Sequence, residues 1–214
     1  MIVGQMAISK FPMWEMCLKD LLTHCDKVYL RFDSINGDIK ILDKIPEVCG
    51  NKLGNVLISE QPFHKWMWRE QLIRMLDGVK PNIVLSPDQD EIFNSSIDIE
   101  IKEFEKSDKD CMMFNYTSMP TEDNRIILKG KPYPLFPHMK VFRWKPNLSY
   151  NGYHGNALIP SFHKNKWWLS KTQIAHYCFY KKEWIKEKVE KMKTYSVPKY
   201  FQTYYSTTLD GFDT

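Results

Sequence analysis

The sequence predicts an α/β fold with a mixed, mostly parallel central sheet flanked by helices, and three observations carry that expectation. Strand-like and helix-like segments alternate through the first half of the chain, the order expected of βαβ units. An apolar strand at Asn82–Ser86 runs directly into Pro87-Asp88-Gln89-Asp90-Glu91. Further strand-like runs collect late in the chain, joined by proline-rich loops, which makes the sheet mixed instead of purely parallel.

In chain order, Ile2 to Ile8 reads as a buried strand, and Pro12 opens a helix running to about His24. Lys27 to Phe32 is a second strand ending in Asp33. Gly37 punctuates, Asp38 to Val48 forms a helix, and Asn55 to Ser59 a third strand. From Phe63 to Leu76 the apolar residues Trp66, Met67, Leu72, Ile73 and Leu76 recur at helical spacing, and Gly78 stops the run. After the strand at Asn82–Ser86, Ile97 to Lys106 reads as a helix and Cys111 to Tyr116 as a strand. Arg125 to Leu128 and Met139 to Trp144 are further strands, and a helix from about Lys182 to Tyr195 precedes an extended tail. One domain is expected, with residues 1–95 as its first half and 96–214 as its second, a unit that a larger polypeptide could contain.

Composition narrows the function. Hydrophobic residues at 43% and charged residues at 26% are ordinary globular usage. A net charge of +4 makes nucleic acid a weak expectation. Five scattered cysteines without a CxxC pair argue against a disulfide framework or a zinc site. No apolar stretch is long enough to span a bilayer and no leader is visible, so a soluble, cytoplasmic protein is expected; the sequence does not fix the oligomeric state, and a monomer is the default expectation. Aromatic residues, 14% of the chain, are numerous enough to serve a sugar-stacking cleft as well as a core.

The chemistry concentrates after the fourth strand. In open α/β sheets the ligand crevice lies beyond the carboxyl ends of the strands, where Asp88 and Asp90 fall. Two carboxylates there suit a hard cation, Mg²⁺ or Mn²⁺, that also takes phosphate oxygens and water. Such an ion neutralises charge growing on a leaving nucleoside diphosphate. The competing reading makes Asp90 or Ser95 the N-cap of the following helix. Against it, three acids behind an apolar strand repel one another unless a cation lies among them.

The order Cys25-Asp26-Lys27-Val28-Tyr29-Leu30-Arg31-Phe32-Asp33-Ser34, then Arg69 on a helix, then Ile83-Val84-Leu85-Ser86-Pro87-Asp88-Gln89-Asp90-Glu91, resembles the GT-A (Rossmann-like) glycosyltransferases, particularly the family-2-like group. The resemblance covers about residues 1–95. It implies a UDP-sugar donor, a glycan or glycoprotein acceptor and a divalent metal. By resemblance, Asp33 binds the uracil or ribose, Asp88 the ribose or donor sugar, and Asp90 the metal. Arg69 approaches the diphosphate, and Ala7 joins the donor-binding set. A second segment, Tyr150-Asn151-Gly152-Tyr153-His154-Gly155-Asn156-Ala157-Leu158, followed by Ile174-Ala175-His176-Tyr177, is similar to the family's G-x-x-H-E-x-L and H-Y/F segments. Gly155 stands where that pattern has Glu, which leaves an inverting base unassigned. Glu122 and Asp123 are the substitute candidates, and a retaining reaction with the leaving phosphate as proton acceptor is the other route. His154 shapes the acceptor pocket, and His176 completes the metal shell or touches the diphosphate. Residue usage resembles that of glycosyltransferase domains encoded by large algal viruses.

Two rivals use the same parts. A metal-dependent nucleotidyltransferase would carry a glycine-rich phosphate loop near the first strand, where Val3-Gly4-Gln5-Met6-Ala7-Ile8 has one glycine. A carbohydrate-binding module would be mostly β, against the helices read here.

Overall fold

The computed structural model describes residues 1–60, 65–118, 137–151, 157–159, 164–177, 182–183, 185–187 and 190. The chain divides into two compact units, Met1–Asn115 with Pro137–Ile174, and Tyr116–Phe136 with Ala175–Thr214.

In the first unit the elements follow as β1 (Ile2–Ile8), α1 (Trp14–Thr23), β2 (Lys27–Asp33), α2 (Lys40–Cys49), β3 (Leu53–Ser59), α3 (Lys65–Met75), β4 (Ile83–Leu85), β5 (Glu91–Ile92), α4 (Ile97–Lys106) and β6 (Cys111–Phe114). Next in the chain comes β7 (Tyr116–Ser118), which belongs to the second unit. The first unit resumes with β8 (His138–Arg143), β9 (Ser149–Asn151), β10 (Ala157–Ile159) and β11 (Trp167–Leu169). β12 (Ile174–His176) starts at the end of the first unit and finishes in the second.

Seven strands form the main sheet in the order β11-β6-β8-β4-β1-β2-β3. β1 runs parallel to β2 and β4, β2 to β3, and β11 to β6, whereas β8 is antiparallel to both β4 and β6. One face of this sheet meets α3, where Val3, Val84, Phe142 and Cys111 pack with Ile73 and Leu76, all fully buried. Strand alternation then assigns the neighbouring positions to the same face. Gln5 and Ala7 follow Val3, Ser86 follows Val84, and Lys140 precedes Phe142, so the polar side chains of this face gather at the carboxyl ends of β1 and β4. Gly4 faces the other way, where an added Cβ would lie 2.8 Å from Leu21 of α1.

The boundaries differ from the sequence reading in ways with physical causes. α2 begins at Lys40 because the Asp38 carboxylate accepts the Lys40 amide at 3.0 Å and holds the preceding residues as a turn. The expected strand Cys111–Tyr116 is split at Asn115, and its second part, β7, belongs to the other unit. β3 starts two residues earlier than expected, at Leu53, where its register against β2 shifts between Val28 and Tyr29. The competing N-cap reading for Asp90 or Ser95 fails: the segment after Asp90 enters β5, and α4 starts at Ile97 without a side-chain cap hydrogen bond. The carboxyl end of α4 is held instead by Arg143 of β8. Its Nη2 donates to the carbonyls of Phe104, Glu105 and Ser107 at 2.8, 3.1 and 3.0 Å, and Nε to that of Lys109 at 2.8 Å. One guanidinium thereby serves carbonyls that a helix end leaves without intrahelical donors.

In the second unit β7 lies beside the end of β12, with the Tyr116 and His176 rings 4.7 Å apart. Residues 182–183, 185–187 and 190 are helical, within the expected C-terminal helix. The expected strand Arg125–Leu128 and the tail lie outside the described residues. No helix among the described residues is long and apolar enough to cross a membrane.

Candidate functional site

The site is built where β4 ends. Leu85 is the last strand residue, Ser86 continues the pairing by donating its amide to the Lys140 carbonyl at 2.7 Å, and the chain turns at residues 87–90. The Glu91 amide closes this turn onto the Asp88 carbonyl at 3.1 Å, and the Asp88 amide donates to Glu91 Oε2 at 2.7 Å. Gln89, between the two aspartates, ties the turn to the end of β1. Its Oε1 accepts from the Ser9 amide and its Nε2 donates to Ser9 Oγ, both at 2.7 Å. The acidic turn is thus fixed at both edges.

Its electrostatics depart from the sequence reading. Three acids in this turn would repel one another without a cation among them, and the protein supplies two cations of its own. Arg69 of α3, 8% exposed, donates from Nη2 to Asp88 Oδ1 and Oδ2 at 3.0 and 3.1 Å. Lys140 of β8, 2% exposed, places Nζ 3.0 Å from Asp88 Oδ2 and 2.8 Å from Glu91 Oε2. Burial would lower the Lys140 pKa, but the charges of Asp88 and Glu91 outweigh it and hold the ammonium above its ordinary range. Lys140 was missed from sequence, although a lysine within the apolar run Met139–Phe142 marked it. The neighbouring α3 residues also form ion pairs, but Glu70 pairs with Arg74 at 2.7 Å, and Arg69 turns inward instead.

Asp90 follows in the same turn and is half-buried, and its carboxylate comes within 4.8 Å of that of Glu91. Oxygen donors so spaced fit a single hard cation. Asp88 fits one poorly, because both of its oxygens already accept from Arg69 and one from Lys140.

The other expected residues lie elsewhere in the first unit or outside what is described. Asp33, 2% exposed, ends β2 with its carboxylate turned onto its own chain. Oδ1 accepts from the amides of Ile35 and Asn36 at 3.1 and 3.3 Å, and Oδ2 from Asn36 Nδ2 at 3.0 Å. Gly37 completes this turn, since an added Cβ would collide with the Asp33 carbonyl and the Phe32 ring. Two residues before Asp33, Arg31 lies buried, with Nε on Gln71 Oε1 at 2.7 Å and Nη2 on Ser59 Oγ at 2.9 Å. Ala7 packs with Trp68 and Leu72 of α3. Between them Gln5, fully buried, donates to Ser86 Oγ at 2.9 Å. A band of polar side chains therefore crosses the α3 face of the sheet at its carboxyl edge. His176 ends β12 in the second unit. Glu122, Asp123 and His154 lie outside the described residues. Trp168 is half-buried and donates its indole N–H to Glu100 Oε2 at 3.2 Å.

No family model matches the chain, and no curated protein does. Among solved structures it is similar to S. aureus TarS 1-349, with 14% identity and a TM-score of 0.53, covering 99% of this chain and 70% of that one. A second structure of S. aureus TarS matches at 13% identity and a TM-score of 0.53, over 97% of this chain and 42% of that one. At such identities the likeness is one of fold: both are α/β structures, here with a mainly parallel seven-stranded sheet and flanking helices.

Proposed function

We propose that this chain is a metal-dependent glycosyltransferase that moves a sugar from a UDP-sugar to a glycan or glycoprotein acceptor. The observation that carries this reading is the turn Asp88–Glu91, fixed by Gln89 at the carboxyl end of β4 in a GT-A-like sheet, with Arg69 docked on it. Ligands in this class of sheet bind outside the carboxyl ends of the strands. Asp90 is the proposed oxygen ligand of Mn²⁺ or Mg²⁺, which would offset charge on the leaving diphosphate. Asp88, already paired with two cations, is the proposed acceptor for hydroxyls of the ribose or donor sugar. Arg69 is the proposed neighbour of the diphosphate, and Asp33 and Ala7 belong to the nucleoside side.

His176 as a second metal ligand or diphosphate contact, His154 in the acceptor pocket, and Glu122 or Asp123 as base are proposals from the sequence resemblance. An origin in a large algal virus, with capsid glycan as acceptor, is likewise a proposal from resemblance, and the single working domain, the monomeric state and the cytoplasmic location are proposals from length and composition.

Calorimetry with UDP tests the reading. Binding is expected only with Mn²⁺ or Mg²⁺ and is expected to be lost in Asp90→Ala with the fold intact. UDP binding that ignores metal and Asp90 would defeat the proposal. A nucleotidyltransferase would prefer a nucleoside triphosphate, and a carbohydrate-binding module would ignore nucleotide and metal alike. Slow metal-dependent hydrolysis across a panel of UDP- and GDP-sugars would then name the donor.

A further inference from the structure

Arg31 carries a charge that its surroundings do not balance. It lies in β2 on the α3 face and is 2% exposed, so its guanidinium is cut off from water. The partners it has are neutral: Nε donates to Gln71 Oε1 at 2.7 Å and Nη2 to Ser59 Oγ at 2.9 Å. Nη1, with two N–H donors of its own, is buried and meets no acceptor. The residues paired with Arg31 across the sheet, Ala7 on β1 and Leu57 on β3, have no polar side-chain atom to offer. Arg31 forms no ion pair among the described residues. Asp33 acts on it only through space, and its oxygens already accept from Ile35 and Asn36. Burial is the larger influence and lowers the guanidinium pKa in spite of Asp33. The side chain also has a direction. Arg31 is level with Leu57, yet Nη2 reaches Ser59, which ends β3 opposite Asp33, the last residue of β2. The guanidinium is thus carried about 7 Å along the strands, to the edge where ligands of such sheets bind.

We propose that Arg31 is an oxyanion site at the carboxyl ends of β2 and β3, where Nη1 takes the oxygens of a phosphate group. A buried N–H without an acceptor and a buried charge without a counter-charge both disfavour the folded chain. A phosphate meets both at once, with acceptor oxygens and negative charge in a charge-assisted pair that a neutral carbonyl would only half satisfy. The planar fork of a guanidinium matches phosphate oxygens in geometry as well as in charge. Arg69 is committed otherwise, since its fork already holds the Asp88 carboxylate. The inference rests on the contacts of Arg31 itself and not on the reading of Asp90 as metal ligand. Two sources carry such a group, the nucleotide donor and a separate phosphorylated ligand, and the test separates them.

The test follows thermal melting with inorganic phosphate as the probe, against sodium chloride of equal ionic strength, for wild type, Arg31→Lys and Arg31→Met. Phosphate stabilises folded proteins weakly in general, so each protein is compared with its own melting point and the gains are then compared. Wild type is expected to gain about 3–6 °C more than Arg31→Met at saturating phosphate. Arg31→Lys, which keeps the charge without the fork, is expected to bind phosphate on the order of tenfold more weakly. A role confined to fastening α3 to β3 would lower the melting point of Arg31→Met in chloride but leave its phosphate gain equal to that of wild type. Equal gains therefore overturn the proposal, and they are also the result expected if Nη1 holds only a water. Should Arg31→Met fail to fold, Arg31→Lys decides, and a phosphate affinity equal to that of wild type sinks the idea. Repeating the titration with UDP and Mg²⁺ saturating names the source: a gain abolished by UDP puts the nucleotide's own phosphate on Arg31, and an undiminished gain assigns the site to a separate ligand. If wild type binds UDP with metal through Asp90 but gains no more from phosphate than Arg31→Met, this inference alone has failed. If phosphate acts through Arg31 and no UDP binds with metal, the transferase reading has failed instead.

Discussion

Glu100→Gln isolates one buried charge from its surroundings and has a size that can be worked out. Glu100 lies in the first turn of α4, 7% exposed, and anchors the segment between β11 and β12. Oε1 accepts from the Thr172 amide at 2.8 Å and its hydroxyl at 2.5 Å. Oε2 accepts from the Trp168 indole and the Lys171 amide, both at 3.2 Å. Burial alone would raise the carboxyl pKa, but the hydrogen bonds from Thr172, Trp168 and Ser170 outweigh it and hold it below its ordinary value. A glutamine keeps one oxygen, and its NH₂ must then face donors at the other position. Hydrogen bonds to a charged group contribute about 1.5–3 kcal/mol each, and a buried donor left without an acceptor costs about 1–3 kcal/mol. Allowing for relaxation, we expect about 2–4 kcal/mol of destabilisation, or a fall in Tm of about 4–15 °C for a chain of this length. Because the folded-state pKa is lowered, this contribution is present above the ordinary carboxyl value and is lost as pH falls through the folded value. The gap between wild type and Glu100→Gln, read by circular dichroism melts, should therefore be full at about pH 7 and narrow progressively below about pH 4. Equal melting temperatures at neutral pH would refute the reasoning.

Two further perturbations test the frame around the site. His24, at the end of α1, places Nδ1 2.7 Å from Asp98 Oδ1 of α4 and Nε2 3.6 Å from Asp20 Oδ1. Burial would lower its pKa, yet Asp20 and Asp98 together raise it, so its contribution is full below the ordinary histidine value and is lost as pH rises through the folded value. Asp98→Asn should lower Tm by about 2–4 °C at about pH 6 and by less near pH 9, which melts across that range will check. Arg143→Met removes every donor at the end of α4 that the guanidinium supplies and should cost about 2–3 kcal/mol in urea titrations, with Arg143→Lys recovering part of it.

Local pattern was readable and long-range pairing was not. The helix Ile97–Lys106 matches its expected bounds because Ile97, Ile101 and Phe104 recur at helical spacing and are buried. β1 likewise matches, as a run whose last six residues are all buried. The turn at Asp88–Asp90 could be placed because an apolar strand precedes it. What surrounds that turn could not, because its partner Lys140 comes from a strand 52 residues later whose neighbours no local pattern specifies. The environments of the adjacent tryptophans were out of reach for the same reason. Trp167 packs against the α3-side core, and the environment of Trp168 is set by Glu100, distant in sequence. Gln89, the residue between the aspartates, was passed over because an amide on a loop carries no signal until its partner at Ser9 is known.

The late arrival of β8 bears on how the chain matures during synthesis. β1 to β4 can pair among themselves as soon as they emerge, but the strand that lies between β4 and β6 is made only after both. Until residue 140 leaves the ribosome, Asp88 and Glu91 lack one of their counter-charges and water must serve them. A nascent chain halted before that strand would keep this tip hydrated and the edge of β4 exposed, a surface suited to chaperones or to unwanted association. Closure of the acidic tip thus waits for the insertion of one antiparallel strand, which joins β4 to β6 and brings Lys140 to Asp88 and Glu91, before β11 is added at the edge.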